Sequence, residues 1–236
     1  MARKQATSIT EIADAAIEQI TRHGLRRTQM ADVAKAIGVS AGTLYLYVEN
    51  KEALLALASR HLLGENLENA GLPFKEESRQ SLVALFIEKA SLWAQWPRLE
   101  RAIQEKDVSR EALEEVGIEI YDLIAQHKRA ILLLDRLASE LPEVAPVHTE
   151  NARGRLNAYL VDLVQSAGTA TLDRDAISLV ARMANEVLSW SAMHRHRPGF
   201  DAQPMGSLTE DDIRTLASRT FAATLSAALD PRPVTS

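Results

Sequence analysis

The side chains best suited to binding chemistry lie in residues 40–51, which read SAGTLYLYVENK. This run combines small residues, which allow close backbone approach, with hydroxyl, phenol and amine groups that can donate hydrogen bonds to phosphates and base edges. The small residues are Ala41 and Gly42, and the donors are Thr43, Tyr45, Tyr47 and Lys51. Such a mixture predicts a surface that contacts nucleic acid.

Thr28 and Lys51 stand at expected helix N-termini, where free backbone N–H groups and the helix dipole favour a bound phosphate. Leu46 interrupts the polar surface between the two tyrosines. Its side chain could contact a thymine methyl group or could rest on the protein itself. We therefore expect phosphate contacts around this surface and leave the bases that it reads open.

Three short helices must position these residues. Thr28, Ser40 and Asn50 are N-cap residues by type, and Gly38 can end the second helix in a left-handed turn. Because only Gly38 and Val39 separate the second helix from the cap of the third, the two helices must cross steeply, as in a helix-turn-helix. The residues expected to hold this arrangement from inside are Val33, Ala34, Ile37, Leu44 and Val48.

The remaining sequence also predicts helices, because apolar residues recur at three- and four-residue spacing and glycine or proline divides the chain into helical lengths. We predict an all-α fold of about nine to ten helices. The first follows a capping-box spacing, Ser8-x-x-Glu11, and Gly24 ends it. Later helices are expected at about 75–95, 98–106, 110–139, 148–166, 173–194 and 209–229, with a loop at 196–207.

Charge and composition exclude several classes of protein. Residues 1–51 contain seven basic and five acidic side chains, so this segment has a net charge of +2. The remaining residues have a net charge of −7, which gives −5 for the whole chain. The 236 residues contain no cysteine, which excludes disulfides and thiolate metal ligands. We find no secretory signal and no run of about 18 apolar residues, so we expect a cytoplasmic protein without a membrane partner.

The run Ala34-x3-Gly38-Val39-Ser40-x-Gly42-Thr43-Leu44-Tyr45-x-Tyr47-Val48-x-Asn50-Lys51-Glu52-x-Leu54-Leu55 closely resembles the DNA-binding domain of the TetR family. The resemblance covers about residues 8–60, and it departs from the family pattern at Leu46 and Val48. It implies a recognition helix at 40–47 that begins at Ser40. It also implies phosphate contacts by Thr28, Tyr45, Tyr47 and Lys51, with Ala41, Gly42, Thr43 and Leu46 nearest the bases.

The resemblance further implies a DNA-binding domain, 1–55, followed by an effector-binding and dimerisation domain, 56–236. The expected partners are a palindromic double-stranded operator, a second copy of the chain and a small-molecule effector that controls repression. Aromatic side chains and one methionine are candidates for an effector pocket: Trp93, Trp96, Tyr121, Trp190 and Met193. Candidates for the dimer interface are Ile177, Val180, Ala184, Leu188, Leu216, Thr220 and Phe221.

Other functions stay open at this stage. An all-α enzyme or small-molecule carrier could retain the N-terminal fold, and an architectural DNA-binding protein would have no effector. The sequence contains no phosphate-binding glycine loop, nucleophile elbow or paired-histidine zinc motif, so we expect no cofactor, no metal and no catalytic residue. His194-Arg195-His196 does not have the spacing that brings two imidazoles onto one helical face.

Overall fold

A computed structural model describes residues 7–168, 170, 172–196 and 206–229. The regular elements of these residues are helices: α1 (Ile9–His23), α2 (Met30–Ala36), α3 (Ala41–Leu44), α4 (Lys51–Leu62), α5 (Arg79–Trp93), α6 (Pro97–Glu105), α7 (Arg110–Ala138), α8 (Arg155–Ser166), α9 (Arg174–Ala192) and α10 (Glu210–Ser226). A π-helical segment, Val147–Gly154, precedes α8, and a 3₁₀ turn, His194–His196, follows α9. The all-α fold is confirmed.

Several helices differ from the boundaries that the sequence suggests; α8, for example, begins at Arg155 rather than at 148, because the π-helical segment precedes it. The recognition helix was expected over 40–47, but α3 ends at Leu44 and residues 45–47 form a turn. The helix expected from residue 75 begins at Arg79, and Ser78 caps it, since its Oγ accepts a hydrogen bond from the Ser81 amide at 3.1 Å. Most of the expected loop at 196–207 lies outside the described residues.

The chain forms two compact units. One contains the residues up to 91 together with 129–151, and the other contains 92–128 together with the residues from 152 onward. The long helix α7 therefore contributes its last ten residues to the first unit and the rest to the second. A domain boundary after residue 55 stays a prediction.

In the first unit, α1 packs on α4 and α2 packs on both α1 and α3. Ser8 begins α1 with a capping box, because its Oγ accepts from the Glu11 amide at 3.1 Å and its own amide donates to the Glu11 carboxylate at 2.9 Å. Residues 53–59 of α4 are all buried. The shared core contains Ile12, Ala16, Ile17, Val33, Ala34, Leu44, Val48, Leu54, Leu57 and Leu67.

In the second unit, α9 packs against α8 and α10, and α6 packs against α8. Gly117 of α7 lets α10 approach closely, because a Cβ added there would lie 3.0 Å from the Phe221 ring and 3.1 Å from the Ser218 Cα. Phe221 is fully buried at this contact. Within the described part of the chain, none of the helices has the length and hydrophobicity required to cross a bilayer.

Gly24 ends α1 in a backbone conformation, φ 88° and ψ 156°, that is almost restricted to glycine. We expect Gly24→Ala to lower the free energy of unfolding by about 1–3 kcal/mol, the usual cost of such strain. An added Cβ would also lie 1.9 Å from the Glu140 Oε1, so this side chain would have to move. Denaturant unfolding of the two proteins measures the difference, and equal stability would contradict the strain.

Candidate nucleic-acid interface

The recognition segment, residues 40–49, begins with a well-capped but very short helix. Ser40 accepts a hydrogen bond from the Thr43 amide at 3.0 Å, and the two hydroxyl oxygens lie 2.8 Å apart. After the single turn of α3, the Leu46 amide bonds to the Thr43 carbonyl and the Tyr47 amide to the Leu44 carbonyl. The backbone therefore continues beyond the helix as tight turns.

Burial divides the segment into an inner and an outer face. Leu44 and Val48 are fully buried in the core, whereas Tyr45 and Leu46 between them are exposed. Leu46 is 68% exposed and Tyr45 is 49% exposed. An exposed leucine next to an exposed tyrosine contributes little to the core, and exposed apolar surface of this kind often contacts a partner.

The other predicted DNA contacts have different degrees of exposure. Gly42 and Ser40 are exposed, while Ala41 and Thr43 are half-buried at the edge of the same face. Tyr47 is also half-buried and packs against the core, so its ring has a structural role besides any contact of its hydroxyl. These residues and the exposed pair form one continuous surface along 40–47.

Thr28 differs from the prediction. Its side chain is 2% exposed, and its hydroxyl donates to the Gly24 carbonyl at 2.7 Å. A buried hydroxyl that is already bonded cannot contact a phosphate without breaking the turn after α1. Thr28 is therefore a structural residue of this turn.

Lys51 lies at the start of α4, where its ammonium group donates to the Arg26 carbonyl at 3.1 Å. This bond holds the lysine beside the loop between α1 and α2. The Arg26 amide donates in turn to the Glu140 carboxylate at 2.8 Å. The lysine keeps two further N–H donors, so the bond to Arg26 leaves it able to contact a phosphate.

The structure adds residues that sequence reasoning missed. The main chain of Phe74 pairs with the backbone on both sides of Val48, although 26 residues separate the two. Asn50 also donates from its side-chain amide to Glu76 at 2.9 Å. The only available signal was the composition break at Gly71-Leu72-Pro73, which marks a turn but does not show where the chain goes next.

Two of the five candidate effector residues line clefts in the described part of the chain, and these two clefts are different. Trp93 stacks on His127, with ring centroids 4.1 Å apart, in a polar cleft of about 320 Å³ that also contains Arg98, Asp122 and Gln126. Burial lowers the pKa of His127. Trp190 lines a separate apolar groove between α9 and α10. The three other candidates, Trp96, Tyr121 and Met193, are buried and line neither of these clefts.

Trp96 has a distinct environment in the second unit. Its ring meets Tyr159 edge to face at 5.5 Å, and the Arg155 guanidinium lies 5.8 Å from both ring centroids. The aromatic faces stabilise this cation. Among the described residues, no group of His, Asp and Glu has the geometry of a metal site.

The candidate dimer residues fall into two sets. Four of them are buried within the chain: Ile177, Ala184, Leu188 and Phe221. They cannot meet a partner, because the apolar stripes seen in the sequence face the protein's own core. Leu216 and Thr220 are exposed, Val180 is half-buried, and further exposed apolar side chains on α9 are Leu179 and Met183.

The exposed face of 40–47, the packed α2–α3 pair and the core beneath them have the arrangement of a helix-turn-helix. Residues 6–58 match the family model "Bacterial regulatory proteins, tetR family". The N-terminal residues of this chain are therefore similar to the DNA-binding domain of that family.

Two curated relatives come from Bacillus subtilis (strain 168). The Fatty acid metabolism regulator protein is 36% identical over 80 residues, which is 34% of this chain and 41% of the relative. The uncharacterised HTH-type transcriptional regulator YvdT is 34% identical over 68 residues, or 29% and 35% of the two chains. The match therefore spans less than half the length of either relative.

Solved structures that are similar to this chain include FadR from Bacillus subtilis in complex with stearoyl-CoA. That protein is 22% identical, with 94% of this chain and 100% of that chain covered and a TM-score of 0.45. KstR2 of Mycobacterium tuberculosis, a ketosteroid transcriptional regulator, is 18% identical, with coverages of 96% and 98% and a TM-score of 0.48.

Proposed function

We propose that this protein is a ligand-responsive transcription regulator that binds a palindromic operator as a homodimer. The observation that carries the proposal is the exposed pair Tyr45 and Leu46, held between buried Leu44 and Val48 in a domain similar to those of the TetR family. A regulator of chromosomal genes acts in the cytoplasm, and the proposal requires no cofactor and no catalytic residue.

The proposed dimer forms through the groove between α9 and α10. This groove has a volume of about 530 Å³ and is lined mainly by apolar side chains, among them Met183, Trp190 and Leu216. Because a two-fold interface places the same patch on both partners, an apolar groove beside an exposed apolar ridge suits a second copy of the chain. Such a dimer would set two recognition segments about 34–36 Å apart, one DNA turn.

The proposed effector site is the cleft that contains the stacked Trp93 and His127. Its polar lining of Arg98, Asp122 and Gln126 suits a small ligand with hydrogen-bonding groups. The effector must bind the form with low DNA affinity more tightly, since a ligand indifferent to both forms shifts nothing. One relative is named for fatty acid metabolism, so fatty acids are a separate class of probe, although their apolar tails do not match this polar lining.

The experiment that tests DNA binding is selection of bound duplexes from a random pool, followed by fluorescence anisotropy with the selected sequence. We expect enrichment of an inverted repeat and a steep fall in affinity with salt, because phosphate contacts release counterions. Absence of any enriched sequence, together with equal affinity for unrelated duplexes, would refute the proposal.

We expect Lys51→Ala to weaken binding about 5- to 20-fold on every sequence and to reduce the salt slope by about one, as loss of one phosphate contact does. The control is Arg110→Ala, which removes one cation from an exposed ion pair with Glu114 in the other unit. Anisotropy titrations at several salt concentrations give both quantities. An unchanged salt slope for Lys51→Ala would exclude this contact.

A further inference from the structure

The segment between α4 and α5, residues 65–77, lies along the end of the recognition segment. The Phe74 amide donates to the Tyr47 carbonyl at 2.7 Å, and the Glu49 amide donates to the Phe74 carbonyl at 3.1 Å. These two main-chain bonds enclose Val48, which is fully buried. The segment therefore holds the backbone at the point where the DNA-contacting surface ends.

Side chains add a second layer of contacts at the same place. The Asn50 side-chain amide donates to the Glu76 carboxylate at 2.9 Å, and the Lys75 ammonium lies 3.2 Å from the Glu49 carboxylate. The Phe74 ring packs against the core that contains Leu44. Each residue from 74 to 76 thus contacts the recognition segment, its supporting core or the cap of α4.

Arg60 of α4 anchors both ends of the segment. Its guanidinium donates to Glu65 at 2.6 Å and to the Glu77 Oε2 at 2.7 Å, and its Nε also bonds to Glu77. The guanidinium holds the pKa of the Glu77 carboxyl below its usual range. With both ends fixed to one arginine, the loop between them has few conformations available.

The recognition segment needs contacts from residues 65–77 because α3 is a single turn. One helical turn forms few backbone hydrogen bonds, so it cannot by itself fix the residues that follow it. The exposed Tyr45 and Leu46 occupy those positions. A contact that fixes the carbonyl of Tyr47 and the amide of Glu49 restricts the path of the chain just beyond them.

We propose that residues 65–77 act as a strap that positions Leu46 for sequence readout. Phe74 is its central positioning residue. The proposal rests on the DNA-binding function proposed above. The strap proposal predicts that substitutions which weaken these contacts reduce the discrimination between operator and unrelated DNA. The reason is that phosphate contacts tolerate small displacements, whereas base contacts do not.

The first test compares Phe74→Ala with Phe74→Leu and with Leu72→Ala, a substitution in the same segment at a side chain that is 54% exposed. We expect Phe74→Ala to reduce operator affinity about 10-fold while affinity for an unrelated duplex stays unchanged. Phe74→Leu should restore most of the loss, and Leu72→Ala should match the parent protein. Hydrogen exchange of the Glu49 amide should accelerate only in Phe74→Ala.

A second variant, Glu76→Gln, removes the charge at an exposed site and weakens the contact to Asn50 without touching the core. Loss of a carboxylate favours DNA of every sequence, so the ratio of operator to unrelated affinity is the quantity to compare. We expect this ratio to fall about threefold. An unchanged ratio in both Phe74→Ala and Glu76→Gln would overturn the strap.

General unfolding has a different signature. If Phe74→Ala reduced operator and unrelated affinity by the same factor, with faster exchange throughout the first unit, Phe74 would be an ordinary core residue and the proposal would be wrong. A parent protein that binds no operator would instead refute the proposed function. The parent titration therefore separates the two failures.

Discussion

Leu46→Glu is expected to reduce operator affinity more than about 100-fold, which corresponds to about 2.7 kcal/mol. The side chain is 68% exposed, so the fold should tolerate the glutamate. A carboxylate at this position would face the phosphates and the acceptor-rich edges of the bases, and both repel it. Fluorescence anisotropy with the selected operator measures the loss.

Leu92→Glu is the matched control, because it makes the same substitution at a leucine that is 60% exposed on α5. Both variants should keep the helical circular dichroism spectrum and the unfolding midpoint of the parent. If the two variants bound the operator equally well, Leu46 would not lie at the DNA surface. Equal binding by the two variants would also remove the main support for the proposed function.

Leu216→Glu is expected to convert the proposed dimer into a monomer and, as a consequence, to reduce operator affinity more than about 100-fold at nanomolar protein. Leu216 is 48% exposed beside the groove between α9 and α10. Two-fold symmetry would bury two new carboxylates in one interface, and each desolvated charge without a partner costs several kcal/mol.

Sedimentation velocity over a range of concentrations measures the change in oligomeric state. Leu92→Glu again serves as the control and should sediment as the parent protein does. A Leu216→Glu protein that remains dimeric would place the interface elsewhere. Retained operator affinity in a demonstrated monomer would contradict the dimeric mode of binding.

Local signals made much of the fold predictable. Ser8, Ser40 and Asn50 accept hydrogen bonds from backbone amides at three helix starts, as their residue types and spacing suggest. Gly38 follows α2 with a positive φ, as a tight turn requires. These features depend on residues within four positions of each other, so the sequence alone determines them.

Features that depend on distant residues were not predictable in the same way. Threonine at position 28 could cap a helix or bind a phosphate, but its hydroxyl donates a hydrogen bond to the Gly24 carbonyl instead. The spacing of apolar residues in α9 and α10 predicts that each helix has an apolar face. Packing within the chain decides which residues of that face remain exposed. The contact between Val48 and Phe74 joins segments separated by a whole helix, and no local pattern indicates it.

The alternation of buried and exposed residues along 44–48 has a consequence for how such a regulator can diversify. Stability depends on Leu44 and Val48, whereas Tyr45 and Leu46 contribute little to the core. Substitutions at the exposed pair should therefore change DNA preference at almost no cost in folding. New binding specificities can arise there one residue at a time, without compensating changes elsewhere in the domain.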